Sequence, residues 1–244
     1  MSKLYLVGMG PGDAPNMTLA CHKYLSEANI IVGYSGYLKL LRPLYPQKSF
    51  FESGMTQECE RCQIAIDMAV EGLTVCIVSS GDSGVYGMAT LVFELVEKQG
   101  HSLAIEVIPG VTAATSGAAL LGAPLSNDFA VISLSDLLTP WDVIECRLRA
   151  AAMGDFTICL YNPGSSKRSE HLRRACEILN EFIPKARLCG IARNIGRDDQ
   201  ATTLLSLEEL SKHIATMNET IYIGNSLTRL INTRMVTPRG YFNA

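Results

Sequence analysis

The sequence predicts an α/β protein of two domains, each built on a mostly parallel or mixed sheet. Three observations predict it. Short apolar runs rich in β-branched residues alternate with helical stretches along the whole chain. Turns dense in Gly, Pro, Asn and Asp follow the strand-like runs. The texture changes near Pro124, where Gly122, Pro124 and Asn127 supply turn chemistry. The expected division is 1–122 and 123–244.

Taken in order, residues 4–7 form an apolar strand that stops at a Gly/Pro turn, and a helix follows over 18–27. Residues 30–32 form a second strand. Residues 56–71 form a helix, because Cys59, Cys62, Ile66 and Ala69 step by three and four along one face. Residues 74–78 form a buried strand ending in SSGDSGVYG, with a helix running on to 98. The strand at 105–108 stops at Pro109-Gly110 and leads into a small-residue helix over 112–121. In the second half, strands are expected at 129–133, 156–161, 188–192 and 220–223. Helices are expected at 141–153, from the NPGSS turn to 182, and at 206–214.

Composition narrows the function. The 244 residues are 48% hydrophobic and 18% charged, which excludes a disordered chain. A net charge of −3 gives no general affinity for nucleic acid or anionic membranes, so any anionic ligand needs a local cluster of bases. With 7% aromatics and one Trp, a base-stacking surface is not expected. No run approaches the roughly 18 apolar residues of a membrane span. The opening MSKLYLVGMGPGD lacks the pattern of a signal peptide. The eight cysteines are scattered, mostly inside apolar runs such as VCIVSS and FTICLY, which points to buried thiols in a reducing cytoplasm.

In open α/β sheets, ligands sit beyond the carboxyl ends of strands. GMGPGD at 8–13 follows the first strand, and its glycines allow close approach of backbone to a ligand. Gly8, Gly10 and Gly12 fit a Rossmann-type G-x-G-x-G loop, but the dinucleotide fingerprint G-x-G-x-x-G is incomplete, and both expect a carboxylate near the end of the second strand. Residue 13 is Asp where a third Gly is needed, and NIIVGYSGY offers no carboxylate after the second strand. A plain turn and a different ligand loop remain open. SSGDSGVYG at 79–87 combines three glycines and three serine hydroxyls ahead of a helix, more than a bare turn requires, although Asp82 also suits a cap. PGVTAATSGAALLGAPL at 109–125 reads either as a close packing face or as a helix start at Thr112 and Ala113 offering N–H groups to a cleft.

Cys59-x-x-Cys62 has no second pair and no nearby His, so no metal site is expected. The four histidines show no triad or metal spacing, and no G-x-S-x-G, P-loop or H-E-x-x-H occurs. Arg193 and Arg197 lie on a strand-end turn, where a guanidinium can clamp a carboxylate.

Together GMGPGD, SSGDSGVYG, PGVTAATSGAALLGAPLSND, YNPGSSKR, RNIGRDDQ and MVTPRGY resemble the tetrapyrrole methylase family, the class III S-adenosylmethionine (SAM) methyltransferases. The resemblance spans nearly the whole chain. IVGYSGYL, SGMTQECERC, SSGDSGVYGMA, LYNPGSSKR and MVTPRGY are similar to one branch, which methylates C17 of precorrin-3B or cobalt-factor III with ring contraction in cobalamin synthesis. Sister corrin-ring methyltransferases, such as the precorrin-4 C11 enzyme, and a non-catalytic SAM or tetrapyrrole binding module are the alternatives.

The resemblance implies two α/β domains with the active site in the cleft between them, and a homodimer. It implies SAM contacts at Pro11, Ser80, Gly81, Asp82, Val85, Thr112, Ala113, Asn162 and Ile195. The family mostly reads G-D-P where this chain has Gly81-Asp82-Ser83. The uroporphyrinogen-methylating branch carries an acid at the position of Tyr34 and a Lys near Ser53, and both are absent here. The tetrapyrrole carries many acetate and propionate groups, for which Lys39, Arg168, Arg193 and Arg197 are the expected partners. Ring contraction requires proton movement, for which Asp82, Tyr86 and Asp128 are the acid–base candidates.

Overall fold

A computed structural model describes residues 3–165 and 168–241. The chain divides into two compact units, Met1–Thr112 and Ala113–Ala244. The first holds a five-stranded sheet of β1 (Lys3–Gly8), β2 (Ile30–Tyr34), β3 (Ser49–Ser53), β4 (Thr74–Ser79) and β5 (Ala104–Ile108). Its order is β3-β2-β4-β1-β5, and every pairing is parallel. The helices α1 (Leu19–Glu27), α2 (Ser35–Leu41), α3 (Glu58–Val70) and α4 (Ala89–Gln99) connect the strands.

The continuous apolar character of β1 and β4 follows from coverage on both faces. Tyr5, Val7, Cys76 and Val78 point into a core with Cys21, Leu25, Leu38 and Leu41 of α1 and α2. Leu4, Leu6, Val75 and Ile77 point the other way, onto Cys62, Ile66, Val92 and Val96 of α3 and α4. Cys59, expected on the buried stripe of α3, is exposed in the first turn of that helix. Two elements carry little sequence signal. The helix α2 starts directly after Tyr34 with no side-chain cap, and β3 is a short edge strand whose only apolar residues are Phe50 and Phe51.

The second unit contains α5 (Ala113–Leu121), β6 (Gly122–Ala123), β7 (Phe129–Ser133), α6 (Trp141–Met153), β8 (Thr157–Tyr161) and α7 (His171–Leu179). It continues with β9 (Leu188–Arg193), β10 (Ala201–Ser206), α8 (Leu207–Leu210), β11 (Glu219–Ile223), β12 (Arg229–Ile231) and β13 (Arg234–Val236). The larger sheet is mixed, in the order β10-β9-β11-β8-β7, and a smaller one runs β12-β13-β6. The helix expected over 206–214 is a single turn, closed by a capping box between Ser206 and Glu209.

The units divide at the start of α5, whereas the turn residues place the expected cut at its end. Tyr222 explains the difference. It is fully buried, and its hydroxyl donates to the Ala113 carbonyl at 2.6 Å and lies 3.0 Å from that of Ala114. A Cβ on Gly117 would stand 2.3 Å from that hydroxyl, so the small residues of α5 serve close packing on β11 and β9.

Cys21, Cys62, Cys76, Cys159, Cys176 and Cys189 are buried, while Cys59 and Cys146 are exposed. Burial pushes the Cys21, Cys62 and Cys176 thiols up to about 12. An unfolded thiol ionises at about 8.5, so the contribution of these three thiols to stability is full below that pH and is lost progressively as pH rises toward the folded-state values. Native protein is therefore expected to take up alkylating reagent at Cys59 and Cys146 only, and at all eight thiols in denaturant. Mass spectrometry counts the adducts, and rapid native labelling of Cys76 or Cys189 would contradict the packing.

Candidate active site

The strands β4, β1 and β5 are adjacent and parallel, so the loops that follow them leave from one edge. Those loops are joined backbone to backbone. Gly10 N donates to Gly81 O at 3.0 Å and Gly81 N to Gly10 O at 2.7 Å, with Met9 N on Ser79 O at 2.9 Å. The left-handed φ values of Gly10 (+70°) and Gly81 (+67°) make this pairing available to glycine at low cost. A Cβ on Gly110 would fall 2.1 Å from Gly81 O and 2.6 Å from the Gly8 carbonyl. Three strand ends thus meet where no side chain fits.

Asp82 staples the arrangement. Its Oδ1 accepts from Gly84 N at 2.8 Å and its Oδ2 from Gly110 N at 3.0 Å. With both oxygens engaged by backbone, this carboxylate fixes loop geometry, a task for which charge-assisted bonds are suited. Ser83 is buried and donates to Leu6 O at 2.9 Å. Pro11 is buried, Ser80 is half-buried, and Val85 and Tyr86 stand exposed on the same loop, Tyr86 with φ +53°. Thr112 follows the Pro109-Gly110 turn, and Thr18 Oγ1 donates to Pro109 O at 3.2 Å. Asp13, which stands where the dinucleotide fingerprint needs a third Gly, carries a polar role of its own. Its Oδ2 accepts from Asn16 Nδ2 at 2.6 Å, and its Oδ1 is buried without a partner. The signal available was its place closing GMGPGD.

Lys39 lies on α2. It lines a depression of about 350 Å³ with Tyr34, Ser35, Gly36, Arg42 and Glu52.

In the second unit, β7 runs parallel to β8, and β8 and β9 both run antiparallel to β11. Their carboxyl ends therefore share one edge. Asn162 sits there at φ +53° and donates from Nδ2 to Ser133 Oγ at 2.9 Å. Ile195 lies between two left-handed residues, Asn194 (+50°) and Gly196 (+70°), and its Cδ1 approaches the Gly117 position of α5. Arg168 donates from Nη1 to Ser135 Oγ at 2.6 Å, and Arg193 is exposed at the end of β9. The Nε atoms of Arg168 and Arg197 are buried without partners. His171, with Nε2 3.1 Å from Asp136 Oδ2, holds that carboxyl below the usual range. Asp128 is not part of this edge. It precedes β7, so it lies at the amino end of the parallel pair, where its carbonyl accepts from Thr157 N at 3.2 Å. Ser166 and Lys167 of the NPGSSKR motif lie outside the described residues.

Among the described residues, no group of three or more His, Cys, Asp or Glu could hold a metal ion. The two edges instead carry glycine loops packed backbone on backbone, buried polar atoms without partners, and separate cations. This suits positioning of a small polar ligand and an anionic one.

The family model for Tetrapyrrole (Corrin/Porphyrin) Methylases matches residues 3–211. This chain belongs to the tetrapyrrole methylase family. As a tetrapyrrole methylase it is 43% identical over 238 residues to the probable cobalt-factor III C(17)-methyltransferase of Salmonella typhimurium, covering 98% of this chain and 99% of that one. It is 42% identical over 241 residues to the cobalamin biosynthesis protein CbiHC of Archaeoglobus fulgidus, which covers 99% of this chain but 53% of that relative, so the chain spans about half its length. The crystal structure of the methyltransferase CobJ superposes with a TM-score of 0.92 at 36% identity, covering 98% of this methylase and all of that chain. The span matched by the family takes in every glycine loop described above.

Proposed function

We propose that this methylase transfers a methyl group from SAM to C17 of precorrin-3B or cobalt-factor III, with ring contraction, in cobalamin synthesis. The single observation that carries the reading is the similarity, over nearly the full length of the chain, to a relative of that name, whose matched span includes the loops packed backbone on backbone at Gly8, Gly81 and Gly110. SAM suits the ends of these strands. The glycines let the three loops close on one another, which fixes the backbone that faces the ligand. Contacts from Pro11, Ser80, Gly81, Asp82, Val85, Thr112 and Ala113, with Asn162 and Ile195, complete the proposed set.

SAM supplies an electrophilic methyl carbon, so no enzyme nucleophile is required. What remains for the protein is orientation, which is worth about 7–11 kcal/mol of barrier. The staple at Asp82 holds the loops in one geometry before the ligand arrives. Lys39, Arg168, Arg193 and Arg197 neutralise acetate and propionate groups of the macrocycle. Tyr86, on the glycine loop, is the acid–base group we assign to proton movement in ring contraction, because Asp82 is occupied by backbone and Asp128 lies at the other edge of its sheet. We further propose a cytoplasmic homodimer, on the family resemblance and the buried free thiols. No helix among the described residues is long and apolar enough to cross a membrane.

The test is incubation of purified protein with SAM and cobalt-factor III, and in parallel with precorrin-3B. Mass gain of one methyl, located at C17 by NMR, is expected with stoichiometric S-adenosylhomocysteine. Methyl at C11 would move the chain to the sister branch, and SAM binding without turnover would leave a binding module.

A further inference from the structure

The motif SGMTQECERC lies outside the glycine loops described above and is built around a buried arginine. Arg61 of α3 is 3% exposed. Its guanidinium donates to Ser53 Oγ from Nε at 2.7 Å, to Gly54 O from Nη2 at 2.7 Å and to Met88 Sδ from Nη1 at 3.4 Å. All three acceptors are neutral. Of the acids close in sequence, Glu52 pairs with Arg42 at 3.1 Å, Glu60 accepts from Gln57 Nε2 at 3.0 Å and Glu58 lies in the first turn of α3, and none of them forms an ion pair with Arg61 among the described residues. An arginine keeps its charge, and a buried charge without a counter-ion is costly. A cation near the first turn of a helix is also disfavoured by the helix dipole.

Above this charge lies the turn joining β3 to α3. Gly54 is tied at both ends, its N–H to Gln57 Oε1 at 2.6 Å and its carbonyl to Arg61. Thr56 sits at φ +66°, a region costly for a β-branched residue, and Met55 stands 51% exposed at the tip. The last residue of β3, Ser53, is paired in register with Tyr34 of β2. Tyr34 opens the depression lined by the exposed Lys39.

We infer that the 53–57 turn, with Arg61 beneath it and the Lys39-lined depression meeting the end of β3 at Glu52, is a recognition site for a carboxylate group of the macrocyclic substrate. The inference rests on the tetrapyrrole reading above and names one of its subsites. Arg61 is a positioning residue. It fixes Ser53 and Gly54 against Met88, and its unmatched charge draws an acid onto the turn. Lys39 supplies the direct ion pair, and Met55 offers an apolar surface to the ring.

The experiment titrates the full chain with cobalt-factor III, and separately with SAM, for wild type, Arg61→Met, Arg61→Lys and Thr56→Gly, at low and high salt, alongside thermal melts. Arg61→Met is expected to weaken macrocycle binding about tenfold and to flatten its salt dependence. SAM affinity should stay within about twofold, and Arg61→Lys should restore part of the loss. Thr56→Gly is expected to raise Tm by about 2 °C or more through relief of strain, yet to weaken the macrocycle. Wild-type macrocycle affinity in Arg61→Met or in Thr56→Gly overturns the inference. So does an equal loss of SAM and macrocycle, which marks a purely structural arginine. If Arg61→Met does not fold, Thr56→Gly alone decides. A wild-type chain that binds SAM but no macrocycle overturns the parent reading and this one with it, whereas wild-type binding with unaffected variants overturns only this one.

Discussion

Gly110→Ala is expected to lower Tm by about 6–12 °C and to reduce methyl transfer by about two orders of magnitude. The added carbon would stand 2.1 Å from Gly81 O and 2.6 Å from the Gly8 carbonyl. Every neighbour is backbone at the end of a paired strand, so no side chain can swing aside. Relief requires moving β5 away from β1, which costs about 3 kcal/mol at the upper end of ordinary overpacking. The displaced loop is the one that leads to Thr112. Differential scanning calorimetry and single-turnover assays check both arms. A variant with unaltered Tm and rate would mean that the three loops do not meet as described.

Asp82→Ala is expected to weaken SAM binding ten- to hundredfold, about 1.4–2.7 kcal/mol. The residue provides two charge-assisted bonds, to Gly84 N and Gly110 N. Its loss leaves those N–H groups without acceptors and unties the loop after β4 from the loop after β5. Bonds of this kind are worth about 1.5–3 kcal/mol, discounted here because Asp82 is only half-buried. Asp82→Asn keeps one acceptor and presents a donor to the other N–H, so it should fall between wild type and Asp82→Ala. Calorimetric titration with SAM resolves the series. Unchanged affinity in Asp82→Ala would remove the staple from the account, and a rate loss without an affinity loss would return Asp82 to acid–base chemistry.

Much of the fold was legible because its central strands are buried on both faces. β1, β4 and β8 read as unbroken apolar runs for that reason. The edges were harder. β3 has two apolar residues, all three residues of β12 are exposed, and α2 begins without a side-chain cap. The place of α5 depended on Tyr222, 109 residues away from Ala113, and no local pattern reports such a partner. At the candidate site, glycine spacing located the loops, since only close backbone approach requires so many glycines together. The task of Asp82 was hidden, because an acid that caps, catalyses or staples looks the same in sequence. Asp128 illustrates the same limit: whether it falls at the amino or carboxyl end of a strand depends on topology. Arg61 was invisible as a special residue, since burial of a charge without a counter-ion is a property of the folded chain alone.

The strand order of the first unit also has a consequence for biosynthesis. β1 lies between β4 and β5, with Lys3 opposite Thr74 and Ala104. At about 5–20 residues per second, the ribosome needs roughly 5–20 s after making the first strand to deliver its second partner. During that interval LYLV has no neighbour on one side and presents an open, apolar edge. Nascent chains of this protein should therefore engage holdase chaperones early and release them only once β5 has emerged.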